Sequence, residues 1–444
     1  MKTFKLGGIH PEENKMAASQ PIEEFPLPKQ GIIPVSQHLG APAKLLVKRG
    51  DQVKTGQLIG ETAGFISANI HSPYTGKVKK IDNVLDASGY RRQAVIVDVA
   101  EEEEWEEGID NSQDTIREVT ANPDEIVEKM KANGIVGLGG ATFPSHVKLM
   151  VPEGKKIEYL IINGVECEPY LTNDHRLMLE KTEEMLIGIK ILMKGLGVNK
   201  AIIGIENNKM DAVDQIRSML KDFDGISVEP LKVKYPQGGE KQLIKALVNR
   251  EVPGGKLPLD VGCVVNNVAT AYSVYEAVQK NKPLIDRIMT ITGKNLQKTA
   301  NLKVRFGTQL SALVDHVGGL PEDTGKIVSG GPMTGKALTS LEVPATKGTA
   351  GILVMSQKEA KFADPRNCIR CAKCTEVCPQ GLEPYLLHQF GELERPEDAE
   401  ANGIMDCIEC GSCNYICPSN RPLLEYVRVG KAKTSEMIRN RKQK

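Results

Sequence analysis

One spelling occurs twice near the end of this chain. Cys368-Ile-Arg-Cys371-Ala-Lys-Cys374-Thr-Glu-Val-Cys378-Pro379 is followed by Cys407-Ile-Glu-Cys410-Gly-Ser-Cys413-Asn-Tyr-Ile-Cys417-Pro418. Both read C-x2-C-x2-C-x3-C-P, a run that ligates [4Fe-4S] clusters. Three thiolates at i, i+3 and i+6 can wrap one iron–sulfur cube in a loop. The fourth, at the start of a following helix, points away, so two such runs exchange their fourth ligands. By that logic Cys368, Cys371, Cys374 and Cys417 hold one cluster, and Cys407, Cys410, Cys413 and Cys378 hold the other. The competing reading is a pair of structural zinc sites, which usually combine two C-x2-C units rather than four cysteines ending in proline. Eight of the ten cysteines lie in these runs; Cys167 and Cys263 read as small buried hydrophobes.

Charge and hydropathy narrow the rest. The 444 residues carry 57 basic and 57 acidic side chains, without the basic surplus that nucleic-acid binding needs, so no nucleic-acid partner is expected. No window approaches 18 uninterrupted apolar residues; the best, residues 185–198, is broken by Lys190 and Lys194, and no membrane span is expected. The first residues lack the apolar core of a secretory signal, so a cytosolic protein is expected.

The chain reads as a multidomain α/β plus β protein. Residues 44–100 alternate short apolar runs with glycine turns, and their two halves resemble a barrel-sandwich hybrid of the biotinyl and lipoyl carriers. No lysine stands at an obvious modified turn, which favours a packing or docking role. The acidic run at 101–107 reads as a solvated linker. From Asn122, a capping box with Pro123 and Glu125 starts a helix. Strands at 157–163 and AIIGI, helices ending before Gly197 and spanning 210–223, and the strand ISVEPLKVKYP then alternate, as in a Rossmann-like sheet. Residues 282–343 offer three strands and one helix, a small β-grasp (SLBB-like) module, followed by a helical two-cluster ferredoxin domain. The expected boundaries are 1–108, 109–275, 276–350 and 351–430. Basic residues dominate from Arg421 onward, and the tail at 431–444 reads as disordered, or as lying on an acidic partner or anionic membrane surface.

Four polar clusters sit at element boundaries: GLGGATFP (137–144), NGVECEP (163–169), YPQGGE (235–240) and NNVAT (266–270). Glycines let a backbone approach a flat or phosphorylated ligand, and Lys148 adds a charge for an anion. In this order the segments resemble the flavin and NADH site of the flavoprotein subunit of respiratory complex I. With Gly7-Gly8-Ile9-His10-Pro11, the β-rich region and the doubled cysteine run, nearly the whole chain resembles the RnfC components of Rnf (Rsx) electron-transport complexes. The resemblance implies FMN contacts from Gly137, Gly139, Gly140, Lys148, Asn163, Asn266, Asn267 and Thr270. It implies NADH contacts near Phe143, Glu166, Glu168 and Glu240. It also implies two [4Fe-4S] clusters, ferredoxin:NAD oxidoreductase activity coupled to sodium or proton translocation, and other Rnf subunits as partners. The location it implies is peripheral, on the cytoplasmic face of the cell (inner) membrane, reached through those partners. Thr142 stands where the complex I flavoprotein has glycine, and Val165 where it has aspartate. These departures motivate an alternative, a flavin-free iron–sulfur relay or scaffold; a cobalamin reductase relative is a third reading.

Overall fold

The computed structural model describes residues 1–443, with side chains to Arg441. At its centre is a parallel sheet of Tyr159–Asn163, Ala201–Glu206, Ile226–Leu231 and Cys263–Asn267. The third strand lies at one edge, then the second, the first and the fourth. These strands are near-continuous apolar runs because helices cover the sheet. Thr182–Leu196 and Val268–Gln279 pack against each other over it and supply much of the largest core cluster. The expected capping box forms: the Asn122 side chain accepts from Glu125 N, and the Glu125 carboxylate accepts from Asn122 N. The long strand read from ISVEPLKVKYP stops at Leu231; beyond it the chain turns into the YPQGGE loop.

Two antiparallel sheets make the barrel-sandwich unit. Gln30–Pro34, Arg91–Val99, Gly76–Leu85 and Gln52–Val53 form one; Lys44–Leu45, Leu58–Glu61 and Ile70–His71 form the other. Their inner faces enclose Ile33, Val53, Ile59, Tyr74, Val78 and Val97. The acidic run is not a free linker. Trp105 bridges to Thr55, the Glu103 carboxylate accepts from Thr55 Oγ1 and from Arg305, and the Arg305 guanidinium lies over the Trp105 ring.

A mixed six-stranded sheet contains the expected strands Asp286–Thr292, Ala300–Arg305 and Thr324–Ser329, with the helix Leu310–His316. It also draws a central strand, Gly351–Ser356, from beyond position 350, and an edge strand, Ile22–Glu24, from the start of the chain. Residues 1–9 lie with neither the barrel nor this sheet. They add to the α/β unit, where Lys2 bridges to Leu231 and Ile9 to Tyr235.

The tail is ordered, contrary to expectation. Leu423–Gln443 is one helix, packed on Pro384–Glu392 and Pro396–Ala401 through buried Leu423, Leu424, Val427 and Thr434. Its basic side chains pair with acids of the same domain: Arg428 and Lys431 with Glu409 at 3.1 and 3.0 Å, Lys433 with Glu394 at 2.6 Å, Arg441 with Glu400 at 2.9 Å. The sequence pattern missed this because the neutralising acids stand on other elements. The Lys442 side chain and Lys444 lie outside what the structure describes.

Candidate redox site

The first and fourth strands of the parallel sheet are neighbours and their chain connections leave in opposite directions, which opens a crevice at their carboxyl ends. Asn163 and Asn267 end these strands in register. Asn267 caps the next helix through Ala269 N and Thr270 N, and donates to Asp174 Oδ2 at 2.6 Å and to Asn163 O at 3.3 Å. Asn163 is also committed: Nδ2 donates to Gly238 O at 2.8 Å and Oδ1 accepts from Val165 N. Asn266 differs, because its buried Nδ2 has no partner among the described residues. A buried donor left unpaired costs about 1–3 kcal/mol, so an acceptor brought by a ligand is the natural complement.

Over this crevice runs the glycine loop. Thr270 Oγ1 accepts from Leu138 N at 2.9 Å, and Gly137 N donates to Phe143 O at 2.9 Å. Gly139 and Gly140 are exposed at the tip, and a Cβ on Gly140 would meet nothing within 4 Å. That open backbone suits a flat ligand. Lys148 reaches Glu240 at 3.3 Å and donates to Val265 O at 2.7 Å, so the glycine loop, Lys148, Glu240 and Asn266 gather at one place. Thr142 adopts φ 54°, a left-handed conformation that glycine takes freely, so the side chain is present without changing the turn. Val165 is fully buried in the core beneath the sheet.

Glu166 and Glu168 are engaged by backbone donors. The Glu166 carboxylate accepts from Asp174 N at 2.6 Å and His175 N at 3.3 Å, capping the helix Asn173–Glu180. Burial pushes its pKa up to about 7. Glu168 accepts from Met333 N, Thr334 N and Thr334 Oγ1, and burial raises its pKa too. Both therefore hold loops in place, and neither offers a free carboxylate to a nucleotide.

The cysteine runs fold alike. Arg370 and Glu409, then Ala372 and Gly411, occupy matching positions and all have positive φ, which curls each run and turns its N–H groups inward. Arg370 N and Glu409 N each donate to the first sulfur of their run at 3.4 Å. Cys378, from the first run, lines one cavity with Cys407, Cys410 and Cys413 from the second. Cys374 lies close enough to Cys417 for that thiol's charge to add to burial in raising its pKa; burial and neighbouring thiols push Cys407 up to about 11. Thiols so shielded become thiolates when a metal supplies the charge. Among the described residues no three ligating side chains converge on a single-ion site, whereas a cavity ringed by sulfur suits a polynuclear cube.

Residues 130–276 match the family described as the Nuo51 FMN-binding domain, 2–102 the RnfC barrel sandwich hybrid domain, and 360–418 a 4Fe-4S dicluster domain. The chain is 44% identical over 432 residues to the RnfC-type component of the proton-translocating ferredoxin:NAD(+) oxidoreductase complex of Clostridium ljungdahlii, spanning 96% of this chain and 93% of the relative. It is 42% identical to the Na(+)-translocating counterpart of Acetobacterium woodii, over 97% and 96%. The chain belongs to the RnfC family of these ion-translocating oxidoreductases. A Rhodobacter capsulatus member of the family is 41% identical over 98% of this chain and 84% of its own. Membership in this family displaces the cobalamin reductase reading. An NAD+-reducing [NiFe]-hydrogenase structure, 18% identical with TM-score 0.50 over 71% of this chain and 63% of that one, shares the fold.

Sequence reasoning missed several residues that build the site of this RnfC family member. Lys15 donates to the carbonyls of Glu166, Glu168 and Leu171 at 2.7–2.9 Å. Arg287 donates to Leu138 O and Lys347 O, and Lys347 donates to Gly134 O and Asn69 O. Burial lowers Lys347 to about 7. No local spacing marks these residues, since each acts on a loop far away along the chain.

Proposed function

We propose that this chain is the peripheral electron-transfer subunit of an ion-translocating ferredoxin:NAD oxidoreductase complex, passing electrons between NAD(H), FMN and two [4Fe-4S] clusters. The carrying observation is a sulfur-ringed cavity that abuts the loop closing the flavin crevice: Tyr235, which begins that loop, donates from its hydroxyl to Cys410 O at 2.8 Å. Asn266 Nδ2, the exposed backbone at Gly139 and Gly140, and Lys148 are the groups that would hold FMN. Gly137, Asn163, Asn267 and Thr270 shape the cradle through the bonds already described. Phe143, half-buried beside the loop, and exposed Glu240 stand where a nicotinamide nucleotide would enter. Glu166 and Glu168 serve that site by fixing its walls.

The two exchanged ligand sets, Cys368/Cys371/Cys374/Cys417 and Cys407/Cys410/Cys413/Cys378, draw support from the four thiols round one cavity and from Cys374 lying near Cys417. FMN, when bound, accepts a hydride's two electrons and releases them singly to the clusters. The chain's part is to hold the ring, admit the nucleotide and keep the inner cluster dry. Among the described residues no helix is long and apolar enough to cross a membrane, so ion movement and membrane contact belong to partner subunits. Anaerobic addition of NADH to the purified protein tests the reading: the flavin band bleaches, then the cluster absorbance falls. Unbleached flavin beside intact clusters overturns it.

A further inference from the structure

The Gly7-Gly8-Ile9 segment has no role in the function proposed so far, yet its backbone lies against the inner cysteine cavity. Gly7 (φ 65°) sits so close to the first run that a Cβ there would stand 2.6 Å from the carbonyl carbon and oxygen of Cys378 and from Val377 O. Gly8 (φ 91°) donates from its N–H to Val377 O at 2.9 Å, and a Cβ on it would meet Lys234 Cε at 2.5 Å and Phe4 Cζ at 2.8 Å. Neither position accepts a side chain without moving its neighbours, the peptide that bears Cys378 among them.

Ile9 and Tyr235 then exchange two backbone hydrogen bonds of 2.9 Å. Buried Tyr235 donates to Cys410 O, so one residue touches both the N-terminal segment and a second cavity-lining cysteine. Two residues on, buried Gln237 accepts from Phe4 N at 3.3 Å; Gly238 O accepts from Asn163 in the crevice. Gln242 Nε2 adds a third tie, to Pro379 O at 3.1 Å. The bonds that join the flavin-side loop to the cysteine peptides are therefore made by, or braced by, residues 4–9 and 235–242.

We propose that Gly7, Gly8 and Tyr235 are positioning residues: a bracket that clamps the Cys378 and Cys410 peptides to the crevice loop, fixing the spacing between flavin and inner cluster and sealing that cluster from solvent. The flavin half of this inference rests on the function proposed above. In the step it governs, one electron leaves the reduced flavin and enters the oxidised inner cluster, with no bond made or broken. The sealing half depends only on the cysteine cavity.

Tyr235→Phe removes one hydroxyl, and Gly7→Ala places a methyl group against the Cys378 and Val377 carbonyls and so forces the segment off the Cys378 peptide. In anaerobic stopped-flow with NADH, Tyr235→Phe should leave flavin bleaching within about twofold of the parent and slow the following cluster phase about tenfold, the scale of a small misplacement. The electron paramagnetic resonance spectrum of the dithionite-reduced protein should change in the inner cluster's signal alone. On exposure to air, Gly7→Ala should lose one cluster several-fold faster than the parent and the other at an unchanged rate. Unchanged cluster-phase rate, spectrum and air lability in both variants overturn the bracket. If Gly7→Ala does not fold, Tyr235→Phe decides. If NADH fails to bleach even the parent flavin, the proposed function falls, and the dithionite spectra and air-loss rates still decide for or against the bracket.

Discussion

The two cysteine runs share a spelling and a backbone, but they live in different surroundings. Cys368 and Cys371 are exposed, and Ile369 between them is 67% exposed. Cys378 is buried, and with Cys407, Cys410 and Cys413 it encloses a cavity walled by Leu387, Leu424 and Val427 and pressed against the α/β unit. The same spelling therefore meets unequal surroundings: one group of cysteines abuts the crevice loop, while Cys368 and Cys371 face outward. The difference comes from packing rather than from the run itself, because the side chains that separate the two sites stand elsewhere in the chain.

Removing a ligand from each site is the strongest way to break that comparison. Cys413→Ser should abolish the inner cluster's signal and, with it, NADH-driven reduction of the outer cluster, while flavin bleaching persists. Cys371→Ser should remove only the outer cluster and leave the inner one reducible by NADH; quantitative spin counts read both outcomes. Equal loss of electron flow to the remaining cluster in both variants would show that the sites are not arranged in series.

Next in size is Lys15→Met. It leaves three carbonyls without their shared donor and removes one of the two cations, with Lys209, that act on Glu166, at a cost of about 3 kcal/mol. Urea unfolding and FMN retention on gel filtration should both fall, while the outer cluster's spectrum stays as it was. A pH series separates the flavin side further. Burial holds Glu166 up to about 7, above its value in an unfolded chain, so the folded state keeps a proton that the unfolded state has lost. That contribution is present at acid pH and disappears as pH rises through about 7, so stability should fall across roughly pH 5 to 7.5. Glu166→Gln should flatten this slope, and an unaltered slope would assign it to other groups. The smallest effect belongs to the tail: Arg441→Ala breaks an exposed pair with Glu400 and should cost no more than about 0.5 kcal/mol in thermal melts.

What the sequence made legible was local. Glycine, proline and cysteine spacing marked the capped helix at Asn122, the alternating strands and helices, and both cysteine loops, because their physics is carried by residues a few positions apart. The crevice was legible as four polar clusters, but the duties of its residues were not. Glu166 and Asn267 suggest ligand contacts in one dimension, and in three they also cap helices, a duty no local spacing announces. Lys15, Arg287 and Lys347 were invisible, since a lysine that binds a distant carbonyl leaves no periodic trace. The tail misled for the same reason: low hydropathy predicts disorder only while its countercharges go unseen.

The N-terminal bracket also bears on how the molecule folds. Residues 2–9 find their partners at Leu231, Tyr235 and Val377, so this short segment is held by contacts more than two hundred residues away along the chain, the kind whose loop closure is slow to form.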